Sequence, residues 1–227
     1  MIRFDDVIIN IGDFHLKVNM TVPKGFIAVI GQSGAGKSTF LSSLSGHQDL
    51  ASGKIFIDGA RIDLLPPNQR PCSVIFQEFN LFPHLSIAQN LNLVCGSQFF
   101  VPDFSRKKIQ EVLEKVGIEE LIDRLPSQMS GGQQSRAALA RVLLQKNPIL
   151  LLDEPFSALG PNQKSELIEL VYSLTKDQGI TVLLITHDPK DAKQVADHCI
   201  VVKDKKVLGP FETLEALSED GPLTGYL

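Results

Sequence analysis

Gly31-Gln32-Ser33-Gly34-Ala35-Gly36-Lys37-Ser38-Thr39 satisfies the pattern G-x-x-x-x-G-K-[ST] without a mismatch. The compact apolar run 26–30 precedes it and a helical pattern over 37–44 begins inside it, so the loop joins a buried strand to a helix. Glycines let the backbone curl until successive N–H groups point inward at phosphate oxygens, and the helix N-terminus adds its partial positive charge. Lys37 is expected to reach the β- and γ-phosphates of a nucleotide, and Ser38 to place its hydroxyl on Mg²⁺. A plain glycine–serine turn needs none of this spacing. The stretch reads as a nucleotide-binding loop.

Around it, strands and helices alternate. Leu16, Val18, Met20 and Val22 alternate with polar residues as in a half-buried strand, ahead of the turn Pro23-Lys24-Gly25. Further strands are expected over 54–57, 73–76, 149–152, 181–185 and 200–202, with helical patterns over 133–144, 163–174 and 189–195. The fold class that follows is α/β: a mostly parallel sheet with flanking helices and an antiparallel β segment at the N-terminus. From about 86 to 127 the pattern is helical without a buried strand. The expectation is one domain over 1–227 with a helical subdomain, approximately 86–135, inserted in the α/β core. After Val207 only a short tail is expected, with a helix around 212–217 and no C-terminal regulatory domain.

The composition agrees with a globular chain. At roughly 150 residues per domain, 227 residues allow one large domain or one domain with an insertion. Hydrophobic residues make up 43 % and charged residues 21 %, a mix that argues against extended disorder. Lys plus Arg number 22 against 26 Asp plus Glu, a net charge of −4, which makes nucleic acid a poor partner. No apolar run reaches the ~18 residues of a membrane span, and Met1-Ile2-Arg3-Phe4-Asp5-Asp6 has acids where a signal peptide needs apolar residues. Cys72, Cys95 and Cys199 are widely spaced, lack zinc spacing and fit reduced thiols of an intracellular protein.

Two further motifs carry chemistry. In Ile149-Leu150-Leu151-Leu152-Asp153-Glu154, a buried strand ends in two acids: Asp153 is placed to enter the Mg²⁺ shell, and Glu154 to polarise a water for in-line attack on the γ-phosphate. In Met129-Ser130-Gly131-Gly132-Gln133-Gln134, glycines stand directly before a strong helical pattern, making a second helix N-terminus with exposed N–H groups.

Together these motifs resemble the ATP-binding subunits of ABC transporters, whose signature usually reads Leu-Ser-Gly-Gly-Gln; Met129 takes the Leu place here. The resemblance covers essentially the whole chain. It implies a P-loop NTPase core, ATP and Mg²⁺ as cofactors, and ATP hydrolysis. It also implies a head-to-tail dimer with two ATP molecules at the interface, in which Ser130, Gly131, Gly132 and Gln133 complete the site of the facing copy. On the same resemblance, Gln77 is the Q-loop glutamine, contacting Mg²⁺ and water, and His187 is the switch histidine that contacts the γ-phosphate. Two positions depart from the family. Gly160 stands where the family has an Asp that helps communication across the dimer. Ile8-Ile9-Asn10-Ile11 stands where an aromatic residue often stacks on adenine, leaving Phe14, His15 or Ile11 to contact the base.

The resemblance further implies a membrane permease as partner, a substrate-binding protein indirectly, and a peripheral place on the cytoplasmic face of the inner membrane. Phe79, Leu81, Phe82, Pro83 and Leu85 are apolar enough to dock a permease helix, or equally to pack under the helical subdomain. A soluble ATPase of the same signature that acts on chromosomes would carry long coiled coils, and no heptad run separates Lys37 from Asp153. A nucleotide switch uncoupled from transport stays open. Leu65-Pro66-Pro67-Asn68-Gln69-Arg70-Pro71, Phe76-Gln77-Glu78 and Ala88-Gln89-Asn90 are similar to the thiamine-importing branch of the family, with importers of other small solutes or inorganic ions as alternatives.

Overall fold

A computed structural model describes residues 1–76, 81–96 and 101–223. Among these residues ten strands form one sheet: β1 (Ile2–Ile11), β2 (Phe14–Val22), β3 (Phe26–Ile30), β4 (Ser52–Ile57), β5 (Ala60–Arg61), β6 (Cys72–Ile75), β7 (Ile149–Asp153), β8 (Thr181–Ile185), β9 (His198–Lys203) and β10 (Lys206–Glu212). The helices are α1 (Lys37–Ser45), α2 (Ile87–Gly96), α3 (Asp103–Val116), α4 (Gly131–Gln145), α5 (Pro161–Asp177), α6 (Pro189–Val195) and α7 (Thr213–Ala216). The strand order is β5-β4-β1-β2-β10-β9-β3-β8-β7-β6. The block β9-β3-β8-β7-β6 is parallel throughout, while β5, β4, β1 and β2 pair antiparallel. Strand β10 joins the two blocks, antiparallel to β9 and parallel to β2.

The antiparallel block is larger than the N-terminal segment expected from the sequence. Strand β1 hides its period because the register shifts between Phe4 and Val7, where Asp6 adopts φ 46°, so Ile2 and Phe4 fall out of step with Val7 and Ile9 though all four are buried. Strand β10 is likewise interrupted, with a shift between Leu208 and Phe211 around Gly209-Pro210. The expected tail after Val207 is therefore a strand followed by the short helix α7.

Short strands buried on both faces feed cores on either side of the sheet. Ile27 and Val29, Ile149 and Leu151, and Leu183 and Ile185 point to one side, where α1 inserts Phe40, Leu41 and Leu44 against Phe4, Ile9 and Leu16 of the antiparallel block. Phe4 and Phe40 meet with ring centroids 5.2 Å apart. Leu150, Leu152, Val182 and Leu184 point to the other side, against Ala137, Leu139 and Ala140 of α4 and Leu167, Ile168 and Val171 of α5. Ile87 and Leu91 of α2 and Ile109 and Leu113 of α3 extend that second core away from the sheet. Gly117 closes α3 in the left-handed conformation, φ 67°, its N–H directed to the carbonyls of Leu113 and Glu114. Helix α1 is thus held from both sides, which fixes the axis along which its N-terminus points.

Candidate active site

The loops after β3, β7 and β8 leave the same end of the parallel block, the carboxyl end where open α/β sheets bind ligands. The first is the glycine-rich loop. A Cβ on Gly31 would lie 2.4 Å from the Val202 carbonyl oxygen of β9, so the loop starts jammed against the sheet and only glycine fits. Gly36 is the N-cap of α1 at φ 105°, and a Cβ there would lie 2.8 Å from Phe14 Cζ. No side chain caps this end and no acid occupies its first turn, so the helix start is open to an anion. Lys37 is buried and folds back, its Nζ donating to the carbonyls of Gly31 at 2.9 Å and Gln32 at 3.0 Å. The Ala35 N–H closes the loop onto the Gln32 carbonyl at 3.1 Å.

Above the loop lies a cavity of about 460 Å³ lined by Ile11, Phe14, Ser33, Gly34, Gly36, Lys37, Ser38, Thr39 and Glu154. Of the three residues considered for a base contact, Phe14 and Ile11 line it. The alternation of β2 turns His15 outward to solvent.

The second loop brings the acids. Ser38 Oγ donates to Asp153 Oδ1 at 3.1 Å, joining the start of α1 to the end of β7. Burial pushes the Asp153 carboxyl above its ordinary value; the Ser38 hydrogen bond opposes this, the Glu154 charge adds to it and the Lys37 charge lowers it. Glu154 adopts φ 46°, an uncommon conformation for a residue with a side chain, at the bend immediately after the strand. The third loop carries His187 just past β8, with Nδ1 3.6 Å from Glu154 Oε2. Two oxygen donors, Ser38 and Asp153, beside an open helix N-terminus fit a magnesium ion that completes its shell with phosphate oxygens and water. Among the described residues no group of three or more His, Cys, Asp or Glu could hold a metal without such help.

Ser130 to Gln133 stand elsewhere, at the start of α4, and none of them lines the cavity. Ser130 Oγ accepts from the Gln133 N–H at 3.3 Å and Gln133 Oε1 accepts from the Ser130 N–H at 2.9 Å, a reciprocal capping box. That box starts the helix two residues before the periodic pattern seen in sequence. Gln77 and Phe79 lie outside the described residues. The apolar cluster after them is divided: Leu85 is buried and Leu81 packs on the core, while Phe82 and Pro83 are exposed. The loop is shaped by buried Asn90, whose Oδ1 accepts from the Phe82 N–H at 2.7 Å and whose Nδ2 donates to the carbonyls of Phe82, Leu85 and Ser86. Sequence reasoning missed Lys164, Thr186 and Asp191, which surround His187. Lys164 is far from the other two in the chain, and the three share no motif.

The ABC transporter family model matches residues 16–157. The chain belongs to the ABC transporter family. It is 42 % identical to the thiamine import ATP-binding protein ThiQ of Ruegeria sp. (strain TM1040), with 100 % of this chain and 99 % of that protein covered. The ThiQ of Aliivibrio fischeri is 43 % identical over 100 % of this chain and 98 % of the relative. Among solved structures, a dimeric ATP-binding cassette in a post-hydrolysis state with ADP and Pi superposes with a TM-score of 0.79 at 28 % identity, covering 94 % of this chain and 99 % of that one. A cassette of a Clostridium perfringens ABC transporter complex gives 0.83 at 29 %, covering 96 % and 90 %. As an ABC cassette the chain is an ATP hydrolase and the ATPase subunit of an importer.

Proposed function

We propose that the chain powers thiamine import through a separate membrane permease, working as a head-to-tail dimer of two copies on the cytoplasmic face of the inner membrane. What carries the reading is the convergence of the open α1 N-terminus, the Ser38–Asp153 bond and the Glu154–His187 pair at one end of the sheet, in a chain 39 to 44 % identical to thiamine import proteins along its length. No helix among the described residues is long and apolar enough to cross a membrane, which fits a motor whose channel is another polypeptide. A substrate-binding protein delivers the cargo to that channel.

In this site Lys37 and the N–H groups of the loop from Gly31 to Thr39 bind the phosphates, while Phe14 and Ile11 offer the base an apolar wall. Ser38 and Asp153, joined by Gln77, would hold Mg²⁺, which would supply neutralising charge for the phosphates. Glu154 accepts a proton from the attacking water as its oxygen bonds to the γ-phosphorus and the bridging bond to ADP breaks. His187, whose Nδ1 lies 3.6 Å from Glu154 Oε2, would donate to the γ-phosphate. Ser130, Gly131, Gly132 and Gln133 close the site of the second copy with the N–H groups of α4. The segment 86–135 acts as one inserted subdomain that carries this surface. Replacing Glu154 by Gln removes the proton acceptor without removing the nucleotide contacts. An ATP-bound dimer should then accumulate in size-exclusion chromatography, with hydrolysis lowered about 10²- to 10⁴-fold. A monomer under saturating ATP and Mg²⁺ would count against the shared site. Thiamine uptake lost on deleting this chain and restored by supplying it in trans would support the cargo; unchanged uptake would reject it.

A further inference from the structure

Lys164 is the fourth residue of α5, and its side chain is 16 % exposed. Its Nζ lies 2.6 Å from Asp191 Oδ2 and 4.0 Å from Asp188 Oδ2. Asp191 is buried, 8 % exposed at its side chain, and Oδ2 also accepts a hydrogen bond from Thr186 Oγ1. The same hydroxyl oxygen accepts from the Asp188 N–H at 3.1 Å. The residues on both sides of His187 are therefore tied to one buried carboxylate, and that carboxylate is tied to α5. At its other end Lys164 donates its own N–H to the Gly160 carbonyl at 3.0 Å, the last residue of the loop that follows Glu154. Leu159 of that loop faces the second glycine-rich helix start, where a Cβ on Gly131 would lie 3.2 Å from Leu159 Cδ2.

The cluster is not a ligand site, because the space enclosed by Glu154, Lys164, Thr186, His187 and Asp191 is about 10 Å³, at most one water. Nor is it needed to hold α5 against α6. Ser165 Oγ donates to Gln194 Oε1 at 3.0 Å and Gln194 Nε2 donates to the Ser165 carbonyl at 3.3 Å, while Ile168 and Val195 pack in the shared core. A buried ion pair is weak support for stability but can fix geometry, and here the carboxylate oxygen that meets Lys164 is also held by the Thr186 hydroxyl.

We infer that Lys164 is a positioning residue, whose ion pair with Asp191 sets the turn 186–188 so that His187 meets the γ-phosphate, and links that turn to the loop ending at Gly160. This rests on the role of His187 in the proposed site. Single-turnover hydrolysis of ATP–Mg²⁺ by excess full-length chain reads the chemical step even where it is slow. Lys164→Met keeps the aliphatic stem and should slow that step on the order of tenfold, with the half-saturating chain concentration unchanged within about twofold. Lys164→Arg should restore the rate to within about twofold. Combining Lys164→Met with His187→Ala should be no slower than His187→Ala alone, since the lysine acts only through the histidine. Losses that multiply, or a Lys164→Met chain as fast as the parent while His187→Ala is slow, would overturn the inference. If His187→Ala is itself as fast as the parent, the assignment of His187 fails first. Because Lys164→Met leaves Asp191 unpaired, the pair Lys164→Met/Asp191→Asn removes both charges and should still be slow; recovery of the parent rate in that pair would reject the link.

Discussion

The two glycine-rich helix starts, at α1 and at α4, look alike in sequence and differ in what their glycines face. At α1 the constraints are internal. Gly31 meets the Val202 carbonyl, Gly36 meets Phe14 in the left-handed region, and the cap is bare, so its N–H groups have no side chain to bind. At α4 the cap is a closed Ser130–Gln133 box, and a Cβ on Gly132 would meet nothing within 4 Å. The chain's own packing therefore explains the first pair of glycines and not Gly132. A residue left small with empty space above it is suited to a surface that another molecule approaches closely.

That contrast can be broken experimentally, starting with the fold. Gly31→Ala forces a methyl onto a backbone carbonyl that cannot step aside, and should cost about 1–3 kcal/mol in denaturant unfolding; an unchanged midpoint would mean the α1 glycines are no more constrained than those of α4. On the role proposed for Lys37, Lys37→Ala should remove a charged phosphate contact worth about 1.5–3 kcal/mol, so titration calorimetry should show ATP binding roughly ten- to a hundredfold weaker. Gly132→Ala should move stability the other way, a gain of up to about 1 kcal/mol from reduced chain entropy. The same substitution should weaken ATP-driven dimerisation in the Glu154→Gln background, and retention of the dimer would place the α4 glycines outside the interface. Smallest is Gly160→Asp. Gly160 caps α5 without a side-chain acceptor and with open space around its Cα, so Asp should add only a few tenths of a kcal/mol. A larger change in the cooperativity of hydrolysis than in melting temperature would show that the position matters between copies.

The sequence was most readable where one short element performs one task. The runs 26–30, 149–152 and 182–185 are apolar throughout because both faces of those strands are covered, and the segments after them carry the acids, the histidine and the glycine-rich turn. It was least readable where a bulge breaks the period, as at Asp6 in β1 and Gly209 in β10, so those two strands had no regular signal. The Lys164–Asp191–Thr186 cluster has no signature because Lys164 joins the local Thr186–Asp191 pair only when α5 and α6 dock. Phe14 and His15 could not be separated in sequence, since choosing between neighbours in a strand requires knowing which face looks at the loop.

Burial on alternate faces makes parity part of the site. In β7 the odd residues Ile149 and Leu151 belong to one core and the even residues Leu150 and Leu152 to the other, and Asp153 follows in step opposite Ile185 of β8. Inserting one residue into β7 would exchange its two faces and carry Asp153 away from Ser38, whereas inserting two would restore the facing and only lengthen the strand. Length change in this motor is thus counted in pairs: the strand admits even edits and rejects odd ones.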